Sequence, residues 1–320
     1  MPKLEDRITN SLLSLMITLS SVENICNAIG FNAIGVSRVT LLQNQKEKLG
    51  YWLAENMNGE MGYMARNIDK RLNPALLVEG AKSVISVLVS YYAGSPSVTT
   101  KAPKISRYAI SIDYHTTIKQ MLWQMLDMLR QQFGPITGRA FVDSAPVLER
   151  VWAQKAGLGW IGKNGMLINP KLGSYTFIGQ LIVDVDIEPS VTEEPNRCGS
   201  CTRCIDACPT GAIIKPGVID ARKCISYLTI EKRTPLTETE KSALNGWCFG
   251  CDICQEVCPW NSKLTISPSL KILPKPSIIR LCGDDARSLT REYFDSIFKE
   301  TPVSRAGYDQ FMLNCRGDKD

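Results

Sequence analysis

Nine of the twelve cysteines of this chain lie between positions 198 and 258, in a regular order. Cys198, Cys201, Cys204 and Cys208 run up to Pro209, and Cys248, Cys251, Cys254 and Cys258 run up to Pro259. Each run has the C-x2-C-x2-C-x3-C-P spacing. Three thiolates so spaced wrap a loop around one face of a [4Fe–4S] cube, and the fourth, carried off by the turn before proline, reaches a neighbouring cube. C-x2-C pairs also suit zinc, but zinc sites close with two pairs rather than two runs of four. Two cubes need eight ligands, and with Cys224 the zone offers nine. Spacing alone selects the eight residues of the two runs and leaves Cys224 as a small buried hydrophobe. Crowding into short spacings points to metal rather than to disulfides.

Outside that zone the chemistry is sparse. His115 is the only histidine, so histidine-based metal sites lack ligands, and a lone histidine on an amphipathic helix is expected at the surface or half buried. No G-x-G-x-x-G follows a strand and no P-loop is present, so neither a dinucleotide nor an ATP site is signalled. Acid–base work falls to carboxylates. Asp143, in Phe141-Val-Asp-Ser-Ala-Pro146, stands between an apolar pair and a presumed helix. It is either a helix-entry residue accepting backbone N–H bonds or a proton donor whose pKa burial holds up.

The elements that must position these groups are mixed. Ser83–Tyr92 and Tyr175–Ile187 are β-branched and aromatic runs that read as strands. Ile118, Leu122, Met125, Leu126 and Leu129 recur at helical spacing within Tyr114–Phe133, which stops at Gly134-Pro135. Pro146 suits the first turn of a second helix that Gly157 ends. A Pro/Glu-rich link, Glu188–Asn196, leads into the cysteine zone. Ser267–Pro276 is a proline-punctuated connector, and a last amphipathic helix is expected around Thr290–Phe298.

Charge and hydropathy bound the partners. Thirty-seven basic and 32 acidic residues give a formal +5, too mild to announce a nucleic-acid binder. Residues 101–139 nevertheless carry six basic side chains (Lys101, Lys104, Arg107, Lys119, Arg130 and Arg139) against Asp113 and Asp127, a face that could meet phosphate. No run of about 18 apolar residues marks a membrane span. The apolar stretch Leu12–Leu19 is broken by Ser14 and Thr18 and preceded by Glu5 and Asp6. An amphipathic first helix, no secretory leader and a cytoplasmic protein are the expectations.

Several segments together resemble a known family. The run Phe141–Glu149, continued by Trp152–Asn164, is similar to epoxyqueuosine reductases, as are Arg107-Tyr108, Asp113-Tyr114-His115, Cys224–Glu231 and Gly250–Asn261. The resemblance covers roughly residues 20–315. It implies an α+β chain, with a nitroreductase-like cobalamin-binding domain (1–190) fused to a bacterial ferredoxin-like two-[4Fe–4S] domain (191–265), and a C-terminal connector and helix (266–320). It implies reduction of epoxyqueuosine to queuosine at the wobble position of a tRNA anticodon stem-loop. An external low-potential donor would feed two clusters and make cob(I)alamin, and the chain is expected to be a monomer.

The resemblance also assigns residues. The family's proton donor falls on Asp143. Its ligand pattern places Cys198, Cys201, Cys204 and Cys258 on one cluster and Cys208, Cys224, Cys251 and Cys254 on the other. That leaves Cys248 as the extra, against the spacing argument. Corrin contacts carry over to Arg66, Asp143, Lys163, Ile168 and Ser226, with the Phe249, Gly250, Cys251 and Asp252 backbone beside the second cluster. Lys232 and Arg233 join the 101–139 zone as candidate phosphate contacts. Two alternatives remain open: a cobalamin-dependent reductive dehalogenase of a small molecule, and a non-catalytic ferredoxin-type electron carrier.

Overall fold

The computed structural model describes residues 17–94, 103–190, 193–266, 271–281 and 288–315. Leu12–Met16 of the expected first helix, Lys101 and Ser267–Leu270 lie outside the described residues.

Helix α1 (Leu19–Ile29) starts where that apolar stretch ends. Thr18 Oγ1 accepts the Ser21 N–H at 3.2 Å, and Gly30 stops the helix in left-handed backbone. Val22, Ile25, Cys26 and Ile29 form its buried stripe. Strands β1 (Ala33–Arg38) and β2 (Ser83–Ser90) pair antiparallel. A short β3 (Lys104–Ile105) precedes α2 (Tyr114–Phe133), whose bounds match the sequence expectation. After it come β4 (Gly138–Phe141), α3 (Glu149–Lys155) and β5 (Thr176–Val183).

The sheet order is β1-β2-β5-β4, antiparallel throughout. Every residue of β2 is buried because both faces are covered. Ile85, Val87 and Val89 pack with Ile118, Leu122 and Met125 of α2, while Val84 meets Trp152 of α3 and Leu88 meets Ala153 and Ala156. Period-2 alternation thus splits one strand between two helical layers. β1 approaches α3 so closely that a β-carbon at Gly35 would strike the Ala156 carbonyl. Truncating Trp152 to alanine removes the centre of that layer, worth about 3–5 kcal/mol.

One expected boundary is corrected. α3 begins at Glu149, three residues after Pro146. Val142–Leu148 stays irregular, with Asp143 at φ 57, and Gly157 ends the helix as expected. The loop is needed to turn Asp143 toward α2.

The cysteine zone is stitched to the sheet domain. Strand β6 (Trp247–Phe249) pairs parallel with β3. Buried Asp252 accepts the Ser106 hydroxyl at 2.6 Å and the Arg107 N–H at 2.7 Å. The C-terminal helices α4 (Arg291–Phe298, capped by Thr290) and α5 (Gly307–Cys315) close a separate apolar core that includes Phe249 and Cys248. Asn314 locks it by donating to the carbonyls of Thr229 (3.0 Å) and Cys248 (2.9 Å). Among the described residues, no helix is long and apolar enough to cross a membrane.

Candidate active site and cluster cradle

The thiols sort into two sets by which charges each one feels. Burial raises the Cys204 pKa, and Cys258, Cys198 and Cys201 push it further; Cys258 is raised by burial and then by Cys198 and Cys201. Cys251 is pushed up to about 12 by burial and by Cys224, Asp252 and Cys208. Burial first, then Cys251 and Cys224, raise Cys254. The exception is Cys208. Burial would raise it, but hydrogen bonds from the Thr210 hydroxyl and the backbone of Ala212, Thr210 and Ile213 outweigh that and lower its pKa.

These couplings group Cys198, Cys201, Cys204 and Cys258 in one set and Cys208, Cys224, Cys251 and Cys254 in the other. The grouping favours Cys224 over Cys248 as the eighth ligand. Cys248 lies with Ala109, Phe249 and Phe298 in the C-terminal core, while Cys224 packs beside Cys251. Each set takes one thiol from the other run, as cubes with exchanged fourth ligands require. Among the described residues no three His, Cys, Asp or Glu converge as on a single ion, and a cube does not ask it, since each thiolate takes its own iron. A cavity of about 470 Å³ lined by all four thiols of the first set gives that cube its room. The donor chemistry and the space fit two clusters. Cys254 also feels Cys204, so the two sets adjoin.

Asp143 stands apart from the lining of that cavity. Its side chain is 60% exposed, yet protein surrounds it closely enough that burial weighs on its pKa. Arg150 is likewise exposed but enveloped, and its Nη1 donates to the Gly165 carbonyl. The charges of Asp143 and Glu231 both act on Tyr63 and Tyr108, and Asp252 also acts on Tyr108. Aromatic walls, a carboxylate floor and the Phe249–Asp252 turn fit a flat, largely apolar macrocycle. Arg66 follows Tyr63 on an exposed segment, and Ser226 lies on the Ile225–Ile230 helix that leads to Glu231. Lys163 and Ile168 line the first thiol cavity. Lys163 Nζ donates to the carbonyls of Gly199 (2.7 Å) and Cys201 (2.9 Å), fastening that ligand loop.

Among the described residues, the Asp143 carboxylate accepts no backbone N–H. Oδ2 takes the Tyr114 hydroxyl at 2.7 Å and lies 3.2 Å from His115 Nε2. Burial would raise the Asp143 pKa, but the His115 and Tyr114 hydrogen bonds overcome it and the net shift is downward. The expected proton donor with a raised pKa is therefore an ionised carboxylate. Raised groups surround it. Burial would lower His115, yet bonds to Asp113 (Nδ1–Oδ1, 2.6 Å) and Asp143 raise it. Glu149, lifted to about 8 by burial and by the Asp143 charge, accepts the Asp143 N–H. Arg305 Nη1 lies 3.1 Å from the same His115 Nε2. Its Nη2 lies 3.5 Å from Asp113 Oδ2.

Sequence reasoning undervalued His115, Tyr114, Glu149 and Arg305. The available signal was Asp113, a good N-cap directly before Tyr114-His115. Its Oδ1 accepts the His115 N–H at 3.0 Å and fixes where the helix, and so the ring, begins. Most of the basic 101–139 zone is occupied internally. Lys104, Arg107, Arg130 and Arg139 donate to backbone carbonyls, and Lys232 pairs with Glu240 at 2.6 Å. Lys119 and Arg233 remain exposed.

Comparison with known proteins agrees with this geometry. Residues 71–144 match the family model described as epoxyqueuosine reductase QueG, DUF1730, and residues 197–261 match a 4Fe-4S double cluster binding domain. An epoxyqueuosine reductase of Cyclobacterium marinum is 42% identical over 92% of this chain and 94% of its own. One from Cellulophaga algicola is 45% identical over 89% and 93%. A solved epoxyqueuosine reductase, crystallised with a tRNA-Tyr stem loop carrying epoxyqueuosine, superposes with TM-score 0.83 at 28% identity, over 92% of this chain and 79% of that one. With relatives this similar along nearly their whole length, the chain belongs to the epoxyqueuosine reductase family.

Proposed function

We propose that this enzyme reduces epoxyqueuosine to queuosine at the wobble position of a tRNA anticodon stem-loop, acting as a cytoplasmic monomer. The observation that carries the reading is Asp143, ionised, solvent-exposed, and bonded to Tyr114 and His115. Removing the epoxide oxygen as water takes two electrons and two protons. When bound, cobalamin supplies a strongly reducing nucleophilic centre, and the two [4Fe–4S] clusters supply its one-electron wiring.

The chain's own residues do the rest. Cys198, Cys201, Cys204 and Cys258 hold one cluster; Cys208, Cys224, Cys251 and Cys254 hold the other. Arg66, Lys163, Ile168, Ser226 and the Phe249–Asp252 backbone would contact the corrin. Asp143 meets the oxygen that gains negative charge as its C–O bond breaks. His115, whose pKa the bonds to Asp113 and Asp143 raise, passes a proton through Asp143 to that oxygen. Tyr114 holds the carboxylate in line. Lys119 and Arg233 are the exposed cations left for RNA phosphate.

The test is anaerobic reconstitution with iron, sulfide and cobalamin, then mass spectrometry of nucleosides digested from a stem-loop carrying epoxyqueuosine. Cobalamin-dependent conversion to queuosine supports the reading. Cobalamin bound without conversion would overturn the substrate.

A further inference from the structure

The cavity over the first thiol set carries a charge the reaction at Asp143 does not use. Its lining includes Lys163, Lys171, Arg197, Arg203 and Lys263 and no aspartate or glutamate. Lys163 is committed to two carbonyls, and Arg197 pairs with Glu194 at 2.9 Å. Lys171, Arg203 and Lys263 are exposed and make no ion pair among the described residues. They come from three separate segments. The β5 approach supplies Lys171, the first cysteine run Arg203, and the stretch beyond the second run Lys263. Between them lie the half-buried Trp260 and the exposed Pro259. In the second set, Cys224 and Cys251 pack against the buried cluster of Leu228 and Trp247, and Asp252 beside them is buried. The exposed cations therefore ring the set that a donor can reach.

We propose that this rim is the docking surface for an acidic protein that carries one electron at a time. The proposal rests on the reading that the thiols hold clusters. In each encounter the carrier loses one electron and the nearer cluster gains it; no bond is made or broken and no proton moves. A positive ring around the entry point steers a negative partner, which raises its on-rate and makes it salt-dependent. RNA also carries negative charge, but the nucleoside must reach Asp143, and electrons must reach the first set. The rim lies at the electron's entrance.

The test uses reconstituted holoprotein and reduced flavodoxin as the acidic carrier, following the bleaching of cluster absorbance by stopped flow. Wild-type rates should fall as salt rises. In the double variant Lys171→Glu with Lys263→Glu, both outside the ligand runs, the low-salt rate should fall about tenfold or more and lose its salt dependence. Affinity for oxidised flavodoxin should fall in parallel. Iron content, bleaching by photoreduced deazaflavin and stem-loop affinity should be unchanged. If the charge reversal lowers iron content, Lys171→Gln with Lys263→Gln keeps the test, with a smaller loss in the same direction. Unchanged flavodoxin rate and affinity would overturn the proposal. Weaker stem-loop binding with unchanged flavodoxin reduction would assign the rim to RNA instead. Epoxide turnover enters neither readout, so failure of the function reading stays distinguishable.

Discussion

The backbone N–H of Asp143 donates to Glu149 Oε1 at 2.6 Å. That bond secures a non-glycine residue in left-handed backbone, φ 57, a conformation aspartate tolerates better than most. One carboxyl group therefore aims the other. The aiming bond spans the loop that separates β4 from α3.

Glu149 gives a stability prediction with a definite sign. Its pKa rises from 4.5 to about 8 in the folded chain through burial and the Asp143 charge. Between those values the folded state keeps a proton that the unfolded chain releases. Its contribution is full below 4.5 and is lost as pH rises toward 8. Denaturant titrations at several pH values should show wild-type stability falling across that window more steeply than Glu149→Gln. Equal slopes would show that Glu149 is not shifted.

Asp143→Asn keeps the shape and can still accept the Tyr114 hydroxyl, but it cannot pass on a proton. Both clusters and cobalamin should stay bound while epoxide reduction slows on the order of a hundredfold or more. Nucleoside analysis after single turnover measures this directly. Wild-type turnover in the variant removes Asp143 from the proton path.

Asp113→Asn separates helix capping from charge. Asparagine caps as well as aspartate, so α2 should remain intact by circular dichroism. His115 loses the partner that most raises its pKa, so it should deprotonate at lower pH. The alkaline limb of the kcat/KM profile should move down in pH. An unmoved limb would mean that His115 is not the group titrating there.

Cys224→Ser should lose about half the iron, because one cube loses a ligand. Cys248→Ser should keep both clusters, since Cys248 belongs to the C-terminal apolar core. The reverse pattern would restore the regular second run as a complete ligand set.

Gly250→Ala should destabilise the recess. A β-carbon there would sit 2.5 Å from Ser106 Cβ, on backbone at φ 69. Ser106 would have to move off Asp252. A cost of about 1–3 kcal/mol and weaker cobalamin binding are expected, measured by denaturation and corrin absorbance.

What the sequence revealed was what local spacing controls. Tyr114–Phe133 is legible because its apolar stripe and its Gly-Pro stop lie within one helix. The iron–sulfur chemistry is legible because seven of the eight ligands lie in two regular cysteine runs. The eighth ligand is not, since Cys224 and Cys248 differ only in where distant packing carries them. Nor is the ionisation of Asp143, which depends on Tyr114 and His115, 29 and 28 residues away. A lone histidine reads as a surface residue until a carboxylate from another segment lands on it.

The pairing of β6 with β3 and the Asp252 clasp on Ser106 and Arg107 bear on how this protein could be re-engineered. The iron–sulfur segment is not an interchangeable cassette. A transplanted segment with perfect cysteine spacing but no aspartate at position 252 would leave the Ser106 hydroxyl and the Arg107 N–H without their acceptor. It would also tilt the strand that carries Phe249 toward the corrin. Chimeras should therefore succeed or fail on this seam, and inheritance of the two parts should be joint.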